Sequence, residues 1–263
     1  MSRIIAVANQ KGGVGKTTTC VNLAASLAAN RRRVLLVDMD PQGNATVGCG
    51  VDKDDLEATN YEVLMREAAL ADAVVPVADG AFRLLPANGD LTAAEVALMA
   101  AEGRERRLRD LLAPVAVDYD HILIDCPPSL NILTVNALVA AHRVLIPIQC
   151  EYYALEGLTA LLNTISRVQQ TANPDLEIEG LLRTMFDPRN NLAGQVGAQL
   201  LQHFQSKVYR TQIPRNVRLA EAPSHGKPAL QYDRSSRGAI AYMAAASEML
   251  RREGAAGRVA NAG

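Results

Sequence analysis

Residues 11–18 read Lys-Gly-Gly-Val-Gly-Lys-Thr-Thr and directly follow the apolar run Ile4-Ile5-Ala6-Val7-Ala8. A glycine-rich turn between a buried strand and a helix lets an anion lie against bare backbone N–H groups, which a Cβ would hold away. Gly12, Gly13 and Gly15, with Val14 among them, allow that approach, and the helix that begins near Gly15 adds its positive end. Lys16 is placed to reach the β- and γ-phosphates of a nucleotide. Thr17 offers a hydroxyl where Mg²⁺ would sit, and Thr18 completes the set. The pattern departs from G-x-x-x-x-G-K-[ST], whose first glycine would fall on Gln10. It also carries a second lysine, Lys11, at the start of the loop. That extra cation suggests a nucleotide site completed by a second copy of the chain. The plain alternative is a strand–helix turn without a ligand. The order of strand, loop and amphipathic helix argues against it.

Two further apolar runs end in acids. Val34-Leu35-Leu36-Val37 leads into Asp38-Met39-Asp40-Pro41, and Ile122-Leu123-Ile124 leads into Asp125-Cys126-Pro127-Pro128. A carboxylate at the end of a buried strand, beside a phosphate loop, orients Mg²⁺ or its waters. Asp125 fits that role. Asp38 and Asp40 would share a face if both were on the strand, but Pro41 favours Asp40 on the loop, free to meet metal or water. Asp38 is open to either reading, a site residue or a turn former.

These residues need a parallel sheet to carry them. The chain has 263 residues, 49% hydrophobic, with no Trp and three Phe, as expected for Val/Ile/Leu/Ala strands covered by helices. Strands are predicted at Ile4–Ala8, Arg33–Asp38, Phe82–Leu85, His121–Asp125, Arg143–Ile148 and Glu179–Thr184. Helices are predicted at Lys16–Asn30, Glu62–Glu67, Leu91–Ala113, Ile132–Ala141, Leu155–Thr171, Ala193–Gln205 and Arg237–Arg251. The alternation implies an α/β fold, a mostly parallel twisted sheet with helices on both faces. Right-handed crossovers then gather the loops after the strands on one edge. The expected organisation is one domain over residues 1–252 and a disordered Gly/Ala-rich tail over 253–263. The formal net charge is −1, so contact with nucleic acid must come from a local patch. Lys207, Arg210, Arg215 and Arg218 form such a patch or a solvated surface, without an acid among them. Arg31-Arg32-Arg33 follows the first helix and suits its C-terminal end. Cys20, Cys49, Cys126 and Cys150 lack CxxC spacing and read as reduced cytosolic thiols. No leader peptide or membrane span is expected.

Four segments, KGGVGKTT, VDMDPQGNAT, ILIDCPPS and IPRNVRLAEAPSHGKP, resemble the ParA/Soj/MinD group of deviant Walker-A ATPases over roughly residues 3 to 250, and chromosomal ParA proteins most of all. The resemblance implies a P-loop ATPase that uses ATP/ADP and Mg²⁺. Lys11 would be the lysine that crosses to the partner's nucleotide, Lys16 the phosphate ligand and Thr17 the Mg²⁺ ligand. Asp40 would position the attacking water and share the metal shell with Asp125. Pro214 and Asn216 would border the adenine, and Arg189 and Arg218 would bind DNA without reading its sequence. The implied partners are a second copy of the chain, a ParB-like protein and double-stranded DNA, in a cytoplasmic, nucleoid-associated protein that does not bind membrane. The loop at residue 11 would leave no room for an N-terminal operator-binding region.

Three rivals remain open at this level. A MinD-like membrane-cycling ATPase would end in an amphipathic helix, whereas this chain ends in Arg251-Arg252-Glu253-Gly254-Ala255-Ala256. An iron–sulfur reductase would need two bridging cysteines per subunit, and Cys126 lacks an evident companion. A non-catalytic nucleotide-dependent scaffold would bind but not hydrolyse.

Overall fold

A computed structural model describes residues 2–260. Eight strands form one sheet: β1 Arg3–Val7, β2 Val34–Asp38, β3 Val75–Val77, β4 Phe82–Leu85, β5 His121–Asp125, β6 Arg143–Gln149, β7 Glu177–Phe186 and β8 Val208–Pro214. Their order is β3-β4-β2-β5-β1-β6-β7-β8, and every neighbouring pair is parallel except β3 with β4. The central strands are apolar at successive positions because both faces are covered. Ile4, Leu35, Val37, Ile122, Ile124 and Ile146 turn to one layer, beneath helices Leu91–Met99, Ile132–Ala140 and Ala154–Thr171. Ile5, Val7, Val34, Leu36, Leu123 and Leu145 turn to the other, beneath helices Lys16–Ala29 and Arg237–Ala260.

That division of layers opens the site. The helix after β1 leaves toward one face, and the helix after β5 leaves toward the other. β1 and β5 are adjacent, so their C-terminal ends border a crevice at the point where the winding reverses, the place where such sheets accept ligands. Register fixes what stands there. Val7 and Asp38 both pair with Asp125, so the phosphate loop and two carboxylates emerge side by side.

The α/β architecture follows the sequence expectation, with local corrections. The predicted helix Leu91–Ala113 is broken into Leu91–Met99, a 3₁₀ turn at Arg104–Arg106 and a helix at Arg107–Leu112. Gly103, at φ 65°, makes the break. The tail expected to be disordered is helical as far as Ala260, because Arg237–Ala260 runs on beyond Arg251. Its Glu253 is anchored by His121 Nε2 at 2.9 Å, and alanines are strong helix formers. Residues 261–263 lie outside the described residues. Two strands, β3 and β8, and the short helices Asn44–Gly48, Leu70–Ala73, Val217–Glu221 and Ala229–Tyr232 add to the sequence reading.

Candidate functional site

The loop after β1 is held in shape by its own chain. Asn9 donates from Nδ2 to the Pro147 carbonyl at 2.8 Å and accepts the Lys11 N–H on Oδ1 at 3.0 Å. The Thr184 hydroxyl, from β7, donates to the Val14 carbonyl at 2.8 Å. Val14 itself is buried and serves as an anchor. Gly13 and Gly15 have φ of 72° and 85°, a left-handed region that side chains disfavour. Gly12 differs. Its φ is not positive, and a Cβ built there would meet nothing within 4 Å. Nothing in its own subunit requires a glycine at that position.

Lys16 and Lys11 have opposite environments. Lys16 is buried, and burial lowers its pKa while Asp125, Cys126 and Asp40 pull it back up. Lys16 lines a cavity of about 740 Å³ with Gly12, Gly13, Gly15, Thr17 and Thr18. Lys11 is not among the lining residues. Its ammonium pairs with Glu151, just beyond β6, and both side chains are partly exposed.

The three aspartates divide their work. Asp38 is fully buried and accepts from Asp40 N–H at 3.1 Å, Thr46 N–H at 2.9 Å and the Thr46 hydroxyl at 2.8 Å. It shapes the turn that follows β2, which resolves its open reading in favour of a turn former. Asp40 stands in that turn, accepts the Gln42 N–H at 3.0 Å and lines the cavity. Asp125 is fully buried at the end of β5. Burial first, and the neighbouring Asp38 second, push its carboxyl well above the usual range. Its Oδ1 accepts the Cys20 thiol at 3.5 Å, while Oδ2 has no partner. A buried carboxylate oxygen without a donor is costly. That orphan atom fits a ligand that brings its own donors, such as the hydration shell of Mg²⁺. Among the described residues no group of three or more His, Cys, Asp or Glu forms a metal cage. The arrangement suits Mg²⁺, which takes one or two protein ligands together with phosphates and water.

Other expected residues fall elsewhere. Pro214 ends β8 opposite Phe186, and Asn216 caps helix Val217–Glu221 by accepting the Leu219 N–H at 3.3 Å. Neither lines the cavity, whose lining from the C-terminal part of the chain is Met185, Ala222, Pro223 and Lys227. Arg189 is exposed and pairs with Asp187 at 2.8 Å. Arg218 pairs with Glu221 at 2.8 Å and Asp233 at 3.3 Å. Sequence reasoning missed Glu95, Thr46, Thr184 and Glu151. Glu95 lines the cavity and accepts from Asn131, the cap of helix Ile132–Ala140. Among these only Thr184 carried a sequence signal, as a hydroxyl at the end of a predicted strand.

A family model described as an AAA domain matches residues 2–178. The chain is 53% identical to the chromosome partitioning protein ParA of Myxococcus xanthus, over 96% of this chain and 89% of that protein. It is 54% identical to the sporulation initiation inhibitor protein Soj of Bacillus subtilis, over 95% and 98%. The chain belongs to the ParA/Soj family of partitioning ATPases. A solved structure titled cobyrinic acid a,c-diamide synthase from Mycobacterium smegmatis, with ADP and magnesium, matches with TM-score 0.84 at 43% identity over 95% of both chains. The MinD cell division ATPase of Pyrococcus furiosus matches with TM-score 0.78 at 28% identity, over 95% of this chain and 99% of that one. Identity is higher with the ParA and Soj proteins than with either of these structures, so the ParA/Soj family is the better guide to function. The chain is thus a ParA/Soj-type ATPase that uses ATP/ADP and Mg²⁺.

Proposed function

We propose that this ParA/Soj protein is an ATP-driven switch that pairs with a second copy, grips duplex DNA without reading its sequence, and is reset by slow Mg²⁺-dependent hydrolysis. The carrying observation is the contrast between the two lysines. Lys16 faces its own cavity, whereas Lys11 lies outside it, tied to Glu151. A cation outside its own site has phosphate charge to meet only across an interface. Gly12 supports the same reading, since no atom of its own subunit competes for the space above it.

In this mechanism the backbone of the loop and Lys16 bind the phosphates. Asp40 holds the attacking water by accepting its hydrogen bond. Mg²⁺, when bound, neutralises phosphate charge; Thr17 would hold it directly, and Asp40 and Asp125 would hold its waters. Lys11 leaves Glu151 to meet the phosphates of the paired subunit, which makes pairing depend on the nucleotide. A ligand thereby biases a two-state element. The dimer doubles the basic surface around Arg189, Arg215 and Arg218. Arg189 and Arg218 are already ion-paired, so DNA phosphates must displace Asp187, Glu221 and Asp233. Exposed pairs of this kind are weak because water screens them, and counterion release from DNA readily exceeds them. A ParB-like protein is the expected stimulator of hydrolysis, and partitioning of DNA the expected outcome.

The test is duplex-DNA binding with ATP, with ADP and without nucleotide, for wild type, Arg218→Glu and Gly12→Val. ATP-selective binding, lost in Arg218→Glu and absent from a monomeric but ATP-binding Gly12→Val, is the expected pattern. A Gly12→Val protein that still dimerises with ATP in light scattering would remove the face-to-face arrangement.

A further inference from the structure

The segment SHGKP, at 224–228, is part of the fourth motif, yet none of the roles described so far falls on it. The structure shows what its glycine does. Gly226 (φ 61°) lies against Gly50 (φ 81°), from the turn after helix Asn44–Gly48. A Cβ on Gly226 would fall 2.5 Å from the Gly50 Cα, and a Cβ on Gly50 would fall 2.7 Å from the Gly226 carbonyl oxygen. No side chain fits at either place without moving backbone, so two left-handed glycines let two main chains touch. Three residues beyond the contact, the Ala229 N–H donates to Asn22 Oδ1 at 2.8 Å. Asn22 Nδ2 donates in turn to the Thr18 carbonyl at 2.8 Å, within the phosphate-loop helix.

Lys227 sits between these two anchors and lines the nucleotide cavity. Its backbone is fixed on one side by the Gly50 contact and on the other by the bond to Asn22. No described carboxylate forms an ion pair with its ammonium, while Lys11, Arg189 and Arg218 are all engaged. A cation without a partner at the wall of a phosphate cavity is placed to meet phosphate charge.

We propose that Lys227 is a nucleotide-binding residue of this subunit's own site, contacting phosphate charge that ADP and ATP share, beside Thr18. This rests on the cavity being the ATP/ADP site. The second lysine of that site is then supplied in cis from the C-terminal segment, with the Gly50–Gly226 contact as its positioning device.

The experiment measures binding of a fluorescent ADP and a fluorescent non-hydrolysable ATP analogue, with Mg²⁺, at low and moderate salt. The variants are Lys227→Ala, Lys227→Gln, Lys227→Arg and Lys16→Ala. Removing a charged hydrogen-bond donor should weaken both ligands about tenfold in Lys227→Ala and Lys227→Gln, with a shallower salt dependence, and Lys227→Arg should restore most of it. Normal binding of both ligands by Lys227→Ala, with Lys16→Ala defective, overturns the inference and leaves the site intact. Normal binding by Lys16→Ala overturns the site itself. A loss confined to the ATP analogue overturns the placement on the shared phosphates. The circular dichroism spectrum of each variant checks that it folds.

Discussion

The two edges of one sheet carry opposite electrostatics. At the N-terminal edge most charges have a partner within the chain. Arg33 Nη2 meets Asp120 at 3.1 Å, Arg143 meets Glu177 at 2.9 Å and Glu179 at 3.4 Å, and Glu253 joins His121 to Arg3. His142 Nδ1 accepts the Ile4 N–H at 3.0 Å. At the C-terminal edge the balance is withheld. Burial raises Asp38 and Asp125 and lowers Lys16, and Asp125 Oδ2 has no donor. The C-terminal edge thus gathers buried charged groups whose ordinary ionisation the fold opposes, at the place where a ligand can relieve it.

Substitutions at the two edges should therefore differ in kind. The largest expected effect is at Asp40. Asp40→Ala should lower the rate of phosphate release about 1,000-fold, in the range of general-base contributions, while ATP still supports dimer formation. Unchanged turnover would strip Asp40 of its role. Next is Asp125→Asn, which removes a buried carboxyl whose Oδ2 has no donor. Without ligand the variant should be more stable by about 2 kcal/mol and melt several degrees higher, yet bind Mg²⁺–ADP more weakly. A lower melting temperature in the ligand-free variant would break the contrast between the edges. At the opposite edge Asp120→Ala removes both the Arg33 ion pair and an acceptor for the Arg33 N–H at 2.8 Å. It should cost about 1 kcal/mol in urea denaturation and leave nucleotide affinity unaltered.

The smallest effect is a pH dependence. Burial, with help from Arg3 and Arg143, depresses the pKa of His142 below its ordinary value of 6.5. The folded state therefore keeps His142 neutral where the unfolded chain takes up a proton. Stability from this group is intact above about pH 6.5 and declines as pH falls through the folded pKa. Melting curves at pH 8 and 5.5 should show a loss of under about 1 kcal/mol, absent from His142→Gln. A steeper loss that survives the substitution would assign the dependence to other groups.

How much of this was legible in the sequence depended on whether the determinants were local. The core strands were readable because double-sided burial leaves a short apolar run rich in Val, Ile and Leu and bounded by turn residues, as in Val34-Leu35-Leu36-Val37. The phosphate loop was readable because its backbone needs glycines at fixed spacing. β3 was hidden by Pro76, tolerated because the strand lies at the sheet's edge, and β8 by its polar Arg210, Thr211 and Gln212. Pro41 set Asp40 on the loop in advance, but Asp38 stayed open. Only the Thr46 bonds, which depend on how the chain turns after β2, decide it. Lys11 with Glu151 and Gly50 with Gly226 lie 140 and 176 residues apart, and no window along the chain brings them together. Surface arginines were the least legible, because Asp187 and Glu221 stand two and three residues from Arg189 and Arg218 without the sequence showing that they pair, and Asp233 is fifteen residues from Arg218.

Glu253 closes within 3.6 Å of Arg3, so the last described helix is stapled beside the start of the first strand, on the edge away from the cavity. A fluorescent reporter or surface tether attached beside Arg3 or Glu253 would leave the face that carries both loop lysines exposed to solution.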